Sequence, residues 1–220
     1  MSNMRRRTPE PPPGLPQIQH TPGMANELMR ELAPLLAEDG IDLDNIEVDD
    51  LGTLQAALNR AIERRNMALF TPVGEARDYA LTTLRLVVEA IEDNDTTLAG
   101  AILESVPPEA PEGKATVAGC IGVALDLLDN WLGGQHPDAP AGLTQKTQLP
   151  TGHWIGERAA TDVLTLAANR RAFPSLHTLN VRRGGRHLLY GSALAVAAAL
   201  QSWSRLTEAS VASLANEHLR

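Results

Sequence analysis

Aromatic residues are scarce in this sequence. They make up 3% of the 220 residues, whereas hydrophobic residues as a whole make up 43%. A core built mainly from Leu, Ala, Val and Ile suits closely packed helices better than a β-sandwich or barrel, whose strands favour aromatic and β-branched residues. The chain is long enough to bury such a core in one domain with or without an appended subdomain. We therefore expect an all-α protein.

Cysteine and long apolar runs are also scarce. Cys120 is the one cysteine, which excludes an intrachain disulfide, and its apolar surroundings predict a buried thiol. The longest candidate for a membrane span, 188–200, is shorter than the roughly 18 to 20 apolar residues that a span needs. Pro9 to Pro13 stand where a signal peptide would carry its apolar region. We expect a cytoplasmic protein without membrane contact, and 17 Arg against two Lys suggest a GC-rich bacterial or phage genome.

Charge is divided unequally along the chain. Residues 1–140 carry 10 Lys and Arg against 23 Asp and Glu, a net charge of −13, whereas residues 141–220 carry 9 against 4, a net charge of +5. Opposite charges of this kind have three readings: the two parts dock within one chain, they dock between chains of an assembly, or the basic part binds nucleic acid. The sequence leaves all three open.

Composition and hydrophobic spacing divide the chain into four segments. Residues 1–23 hold six prolines and the basic run Arg5 to Arg7, which predicts an arm that is disordered or ordered by a partner. Helical spacing predicts an acidic bundle of about five helices in 24–134, and a basic helical subdomain in 153–220. The Pro- and Gly-rich residues 135–152 between them predict a linker or a strap across the bundle.

The most apolar stretch, 115–132, predicts a helix that is covered on several sides and lies at the centre of the core. Its less apolar residues fall on one narrow face: Thr116, Gly119, Gly122, Asp126 and Asp129. The small residues of this face predict a close backbone crossing. The two carboxylates predict contact with solvent or with a basic partner from beyond residue 141.

A basic cluster follows in the second half of the chain, formed by Arg170, Arg171, Arg182, Arg183 and Arg186. Two short runs within 177–190 flank Gly184 and Gly185, which predicts either a short β-hairpin or a helix that begins at Gly184. With the hairpin, the arrangement over about 35 residues resembles a winged helix, although no specific motif accompanies it. That resemblance implies arginine contacts with DNA phosphates or the minor groove. The alternative is that these arginines contact acidic residues of this chain or of a neighbouring subunit.

Two pairs of carboxylates are the candidates for a metal site: Glu89, Glu92, Asp126 and Asp129. Two helices that each present acids at i and i+3 resemble the magnesium sites of all-α pyrophosphatases and prenyl-diphosphate enzymes. The alternative is a pair of solvated helix faces. His153 and Glu157 have the i and i+4 spacing of a metal pair but lack further ligands.

No catalytic residue, metal or cofactor is predicted from these patterns. The sequence instead favours a non-enzymatic helical protein that acts in protein–protein interaction or assembly, through self-association or a protein partner. The first alternative is a nucleic-acid-binding regulator that uses the arginine cluster. The second is a magnesium-dependent all-α phosphohydrolase.

Overall fold

Helices form all the regular secondary structure in the residues that the computed structural model describes, which are 24–41, 51–108 and 114–220. In chain order they are α1 (Met24–Glu38), α2 (Leu51–Phe70), α3 (Gly74–Glu92), α4 (Thr96–Glu104), α5 (Val117–Leu132), α6 (Leu143–Lys146), α7 (Glu157–Ala167), α8 (Leu176–Arg183), α9 (Gly185–Thr207) and α10 (Val211–His218). The predicted all-α class is confirmed, and α1 to α5 are the five helices expected before residue 134. The predicted arm, 1–23, lies outside the described residues. None of these ten helices is long and apolar enough to cross a membrane.

Contacts divide the chain into two compact units, 1–64 and 65–220. In the first unit, Leu32 and Leu36 of α1 are buried together with Ala57 and Ala61 of α2. Asp39, which follows α1, accepts hydrogen bonds from Arg60 Nε at 3.1 Å and Arg64 Nη1 at 2.8 Å. These charge-assisted bonds hold the pKa of the Asp39 carboxyl below its ordinary value.

Helix α9 is the central helix of the second unit, where the sequence had pointed to α5. It packs against α3, α4, α5, α6, α7, α8 and α10. Every residue from Gly191 to Leu200 is buried, and the many alanines among them let neighbouring helices approach closely. A Cβ atom at Gly191 would lie 2.5 Å from Ala159 Cβ on α7, so these two helices cross almost in backbone contact. The apolar composition of 115–132 predicted a buried helix, but it did not reveal which buried helix has the most neighbours.

Helix α5 makes the close crossing that its small residues predict. A Cβ atom at Gly122 would lie 1.8 Å from the carbonyl oxygen of Phe70 at the end of α2. At the start of α5, Thr116 Oγ1 accepts a hydrogen bond from the Gly119 amide at 3.1 Å and caps the helix. The expected close approach is therefore confirmed at Gly122, and Thr116 serves as the N-cap.

The β-hairpin considered for 177–190 is absent from this described part of the chain, so that expectation is corrected. Leu176 and Leu179 are buried at helical spacing on α8, and the Gly184 amide donates to Asn180 O, which continues the helical pattern to the end of α8. Gly184, at φ +79°, then redirects the chain into α9. The alternative reading, a helix that begins at Gly184, agrees with the observed start of α9 at Gly185.

Residues 135–152 pack against α9 through the short helix α6. Leu143 is buried, and Ser202 of α9 donates to the carbonyl oxygen of Lys146 at 3.3 Å. Contacts therefore place α3 to α5, which precede this segment, in one unit with the helices that follow it, whereas charge and composition divide the sequence at this segment.

Candidate functional sites

The predicted arginine cluster is distributed over both ends of α7. Arg170 and Arg171 follow its last turn, whereas Arg182 and Arg183 line a pocket with residues of its first turn. Helix α7 has 11 residues, which corresponds to a length of about 16 Å. Arg170 and Arg171 therefore lie apart from Arg182 and Arg183.

Three arginines of the cluster donate hydrogen bonds within the protein. Arg170 Nε donates to Gly133 O at 2.9 Å and so caps the end of α5. Arg183 Nε donates to Asp162 Oδ2 at 2.7 Å. Arg186 donates to two carbonyl oxygens at the end of α4, from Nη1 to Leu103 at 2.8 Å and from Nη2 to Val106 at 3.1 Å. Such bonds satisfy the free carbonyl groups of a helix terminus, so these side chains stabilise the fold.

The four candidate metal ligands are not brought together. Asp129 Oδ1 and Oδ2 accept hydrogen bonds from the amides of Ala172 and Phe173, each at 3.0 Å, and thereby hold the turn after α7. Burial raises the pKa of Asp129, although these two hydrogen bonds oppose the rise. Asp126 and Glu89 are exposed, and Glu92 Oε2 accepts from Gln201 Nε2 at 2.9 Å. Asp129 thus binds two backbone amides from beyond residue 141 in place of the basic partner that was expected there, whereas Asp126 is exposed, which agrees with the alternative of solvent contact.

His153 and Glu157 do not form a metal pair either. His153 precedes α7 and is exposed, while Glu157 Oε1 accepts a hydrogen bond from the Trp154 amide at 2.8 Å. Within 24–41, 51–108 and 114–220, no group of three or more His, Cys, Asp or Glu side chains is close enough to hold a metal ion.

An apolar pocket, which we call the α3–α4 pocket, has a volume of about 220 Å³. Its apolar walls include Val87, Ile91, Leu103, Trp154, Ile155, Tyr190 and Leu194, and Thr96, Thr97 and His153 add polar groups to the lining. Ile155 is 59% exposed. The Tyr190 hydroxyl donates to Glu104 Oε1 at 2.9 Å, and burial together with this carboxylate raises the pKa of Tyr190. Trp154 Nε1 is buried and finds no hydrogen-bond acceptor among the described residues.

A second pocket, which we call the Arg158 pocket, is lined by residues of α7, α8 and α9 and has a volume of about 400 Å³. It is polar, and its charged and titratable walls are Glu157, Arg158, Arg182, Arg183 and His187. Two residues of the predicted cluster, Arg182 and Arg183, therefore meet a third arginine that the sequence reasoning did not single out. Arg158 stands alone in the sequence, and only the packing of α7 against α8 brings it to the other two.

Two tryptophans and two histidines form a compact cluster near the end of α10. The His218 ring stacks on Trp203 with 4.5 Å between centroids, and the His136 ring lies edge-on to His218 at 5.1 Å. Trp131 contacts Trp203 edge-on at 6.0 Å. Burial lowers the pKa of His218, and the charges of His136 and Arg220 lower it further, whereas Glu217 and Asp138 oppose the change.

The two pockets and the cluster of tryptophans and histidines were not predicted from the sequence, and the reason is the same for all three. Their members are separated by 20 to more than 80 positions in the chain, as with His136 and His218 or Ile91 and Tyr190. The signal available in the sequence was the scarcity of aromatics, since each of the three tryptophans takes part in a pocket or in the cluster. Comparison with known proteins found no matching protein family, curated protein or solved structure.

Proposed function

We propose that this chain is a non-enzymatic protein that binds a segment of another protein through the α3–α4 pocket. The observation that carries the proposal is an apolar pocket that stays open beside an exposed isoleucine. Val87, Ile91 and Leu194 supply its apolar surface, and Ile155 extends that surface to solvent. An apolar concavity with exposed apolar neighbours is a common form of a protein-binding site.

The size of the pocket suits one anchoring side chain. At about 220 Å³ it exceeds the roughly 150 Å³ of an engineered cavity that takes up benzene. A leucine, isoleucine or phenylalanine side chain of a partner therefore fits. Its full burial would contribute about 1.5–3 kcal/mol, which is typical of a single anchor in a modest-affinity interface.

The charge near the pocket indicates basic residues in the partner. Residues 92–104, which form the α3–α4 turn and α4, carry four carboxylates and no Lys or Arg. They are Glu92, Asp93, Asp95 and Glu104, of which Glu104 Oε2 already lies 3.9 Å from Arg186 Nε. Complementary charges speed association and exclude acidic competitors. The expected partner segment therefore carries an aliphatic or aromatic anchor flanked by Lys or Arg.

The nucleic-acid alternative draws less support from the geometry. Arg170, Arg183 and Arg186 donate to protein oxygens, and α7 separates the two ends of the cluster. A duplex-binding surface needs several cations that remain available to successive phosphates. Nucleic-acid binding therefore stays the second candidate.

A displayed library of random peptides, selected on the immobilised 220-residue chain, tests the protein-binding proposal. We expect enrichment of peptides that combine a bulky apolar residue with neighbouring Lys or Arg. Affinity of the selected peptides is then measured by fluorescence polarisation on three variants. Ile155→Glu places a charge beside the pocket, and Thr97→Trp places a bulky side chain in it, because Thr97 is exposed and lines the pocket. Both should weaken binding at least about tenfold, the equivalent of losing one buried anchor.

Leu98→Glu is the matched control. Leu98 is 50% exposed, close to the exposure of Ile155, and it lies on α4 but does not line the pocket. This variant should bind the selected peptides like the wild type. Selection of peptides without an apolar and basic pattern, or equal loss of affinity in Leu98→Glu and Ile155→Glu, would reject the pocket as the binding site. Light scattering on the purified chain shows separately whether a second copy is the partner.

A further inference from the structure

We propose that the Arg158 pocket binds the phosphate group of a small phosphorylated molecule. This inference does not depend on the protein-binding role, because the linings of the two pockets have only Trp154 in common.

The first support is an excess of positive charge in one concavity. Arg158 and Asp162 lie four residues apart on α7, so they share one face of the helix. Arg182 and Arg183 approach the same carboxylate from α8, with Nη1 of Arg182 at 3.6 Å and Nε of Arg183 at 2.7 Å from Asp162 Oδ2. Two guanidinium groups thus contact one carboxylate, and Arg158 joins both arginines in the lining of the pocket.

One carboxylate lines the pocket, and it does not neutralise the excess. Glu157 lines the same concavity, but its Oε1 accepts the amide hydrogen of Trp154. Three arginines therefore face two carboxylates, and both carboxylates already accept hydrogen bonds from protein donors. His187 adds a further ring nitrogen that can donate. An anion bound here would relieve repulsion among the arginines as well as gain their hydrogen bonds.

The arrangement of the arginines combines one fixed group with two adjustable ones. Arg183 is 22% exposed and is held by Asp162, so its guanidinium is already oriented. Arg182 is 65% exposed, and Arg158 is exposed without an ion pair to any residue that the structure describes. Guanidinium groups bind phosphate oxygens through paired N–H donors. Arg158 and Arg182 can close on a phosphate that Arg183 positions.

The limited volume of the pocket favours a small molecule over a nucleic-acid backbone. The pocket measures about 400 Å³, which lies within the range of roughly 300–1,000 Å³ that small-molecule sites occupy. Arg186 on the first turn of α9 already donates to carbonyl oxygens at the end of α4, Arg170 and Arg171 lie beyond the far end of α7, and the whole chain has a net charge of −8. A long polyanion would find few further cations near this pocket.

Calorimetric titration of the 220-residue chain with inorganic phosphate and with pyrophosphate, at constant ionic strength, tests the inference. Acetate is titrated in parallel to measure general anion binding. We expect saturable binding of both phosphates and none of acetate at the same concentrations. The double variant Arg158→Gln/Arg182→Gln should weaken phosphate binding at least about tenfold, because two charge-assisted contacts are lost. Arg171→Gln, which removes an exposed arginine beyond the far end of α7, should leave the affinity unchanged.

Circular dichroism confirms that each variant is folded before it is titrated. Three results would overturn the inference: no phosphate binding up to millimolar concentrations, equal binding of acetate, or equal affinity in the double variant and the wild type. A labelled DNA duplex that binds through Arg158 and Arg182 while both phosphates fail would likewise overturn it and support the nucleic-acid reading.

Discussion

Gly122→Ala tests the close crossing of α5 over the end of α2. The added methyl group would lie 1.8 Å from Phe70 O and 2.7 Å from Phe70 C, whereas a relaxed contact between carbon and oxygen needs about 3.3 Å. Both opposing atoms belong to the backbone, so no side-chain rotation can make room. The two segments must separate by about 1.5 Å, the difference between the clashing and the relaxed distance.

The expected cost follows from two opposing effects. Alanine is about 1 kcal/mol more favourable than glycine within a helix, and overpacking costs about 1–3 kcal/mol. Because a backbone displacement also loosens the contacts around it, we expect the upper end of that range and a net loss of about 2 kcal/mol. For a chain of this size the melting temperature should fall by about 4–8 °C.

Gly100→Ala on α4 is the matched control for this experiment. Gly100 is also within a helix, but the nearest atom to its added methyl would be Tyr190 Oη at 3.9 Å. The same gain in helix propensity is then unopposed, and we expect stabilisation by up to about 1 kcal/mol. Thermal and urea unfolding of both variants measure the difference. A Gly122→Ala protein as stable as Gly100→Ala would refute the backbone crossing.

Three further predictions concern buried groups. Asp129→Ala should destabilise the protein by about 1–3 kcal/mol, because it leaves two backbone amides without their acceptor. Asp126→Ala, at an exposed position, should change the stability by less than about 0.5 kcal/mol. Urea unfolding measures the free energy of unfolding of both variants. Cys120 should react with a thiol reagent far more slowly in the native protein than in urea, because burial raises its pKa to about 12. Stability should decline as the pH falls from about 7 to 5. Burial lowers the pKa of His218 in the folded protein from its ordinary 6.5, so in this range the unfolded chain binds a proton at His218 more readily than the folded chain does, and protonation favours unfolding.

Each of these predictions has a defined contrary outcome. Equal stability of the Asp129 and Asp126 variants would mean that the carboxylate does not hold the turn after α7. Rapid labelling of Cys120 without denaturant would place its thiol in an accessible environment. For His218, the control is His218→Gln, in which the acid-induced loss of stability should be smaller than in the wild type. An equal loss in both proteins would assign the pH dependence to other groups.

Features that depend on neighbours in the sequence were predictable. Helical spacing of apolar residues located α1 to α5, and the small residues of α5 predicted the crossing at Gly122, because the period of an α-helix relates residues three and four positions apart. Prolines and glycines likewise predicted a linker or strap after α5, because these residues interrupt helices where they occur in the sequence. These properties of the fold are encoded within stretches of about twenty residues.

Features that depend on distant packing were not predictable in the same way. The sequence suggested a hairpin from Gly184 and Gly185, because a turn signal does not reveal that Leu176 and Leu179 bury one helical face before it. It also grouped five arginines because they are close in the sequence, although α7 separates Arg170 and Arg171 from Arg182 and Arg183 in the structure. Arg158 belongs with Arg182 and Arg183 only in the folded chain, where α7 and α8 contact each other.

The uneven charge of the chain acquires a specific meaning from these contacts. Asp129 in the acidic part accepts from backbone amides of the basic part, and Arg170 and Arg186 in the basic part donate to carbonyl oxygens of the acidic part. In these contacts the charged side chains act on backbone groups at the ends of helices, where free amides and carbonyls need partners. A charge used in this way is no longer available for a ligand. The three arginines of the Arg158 pocket differ, since they outnumber the carboxylates beside them, and this excess is the reason to seek an anion at that pocket and not along the whole basic half.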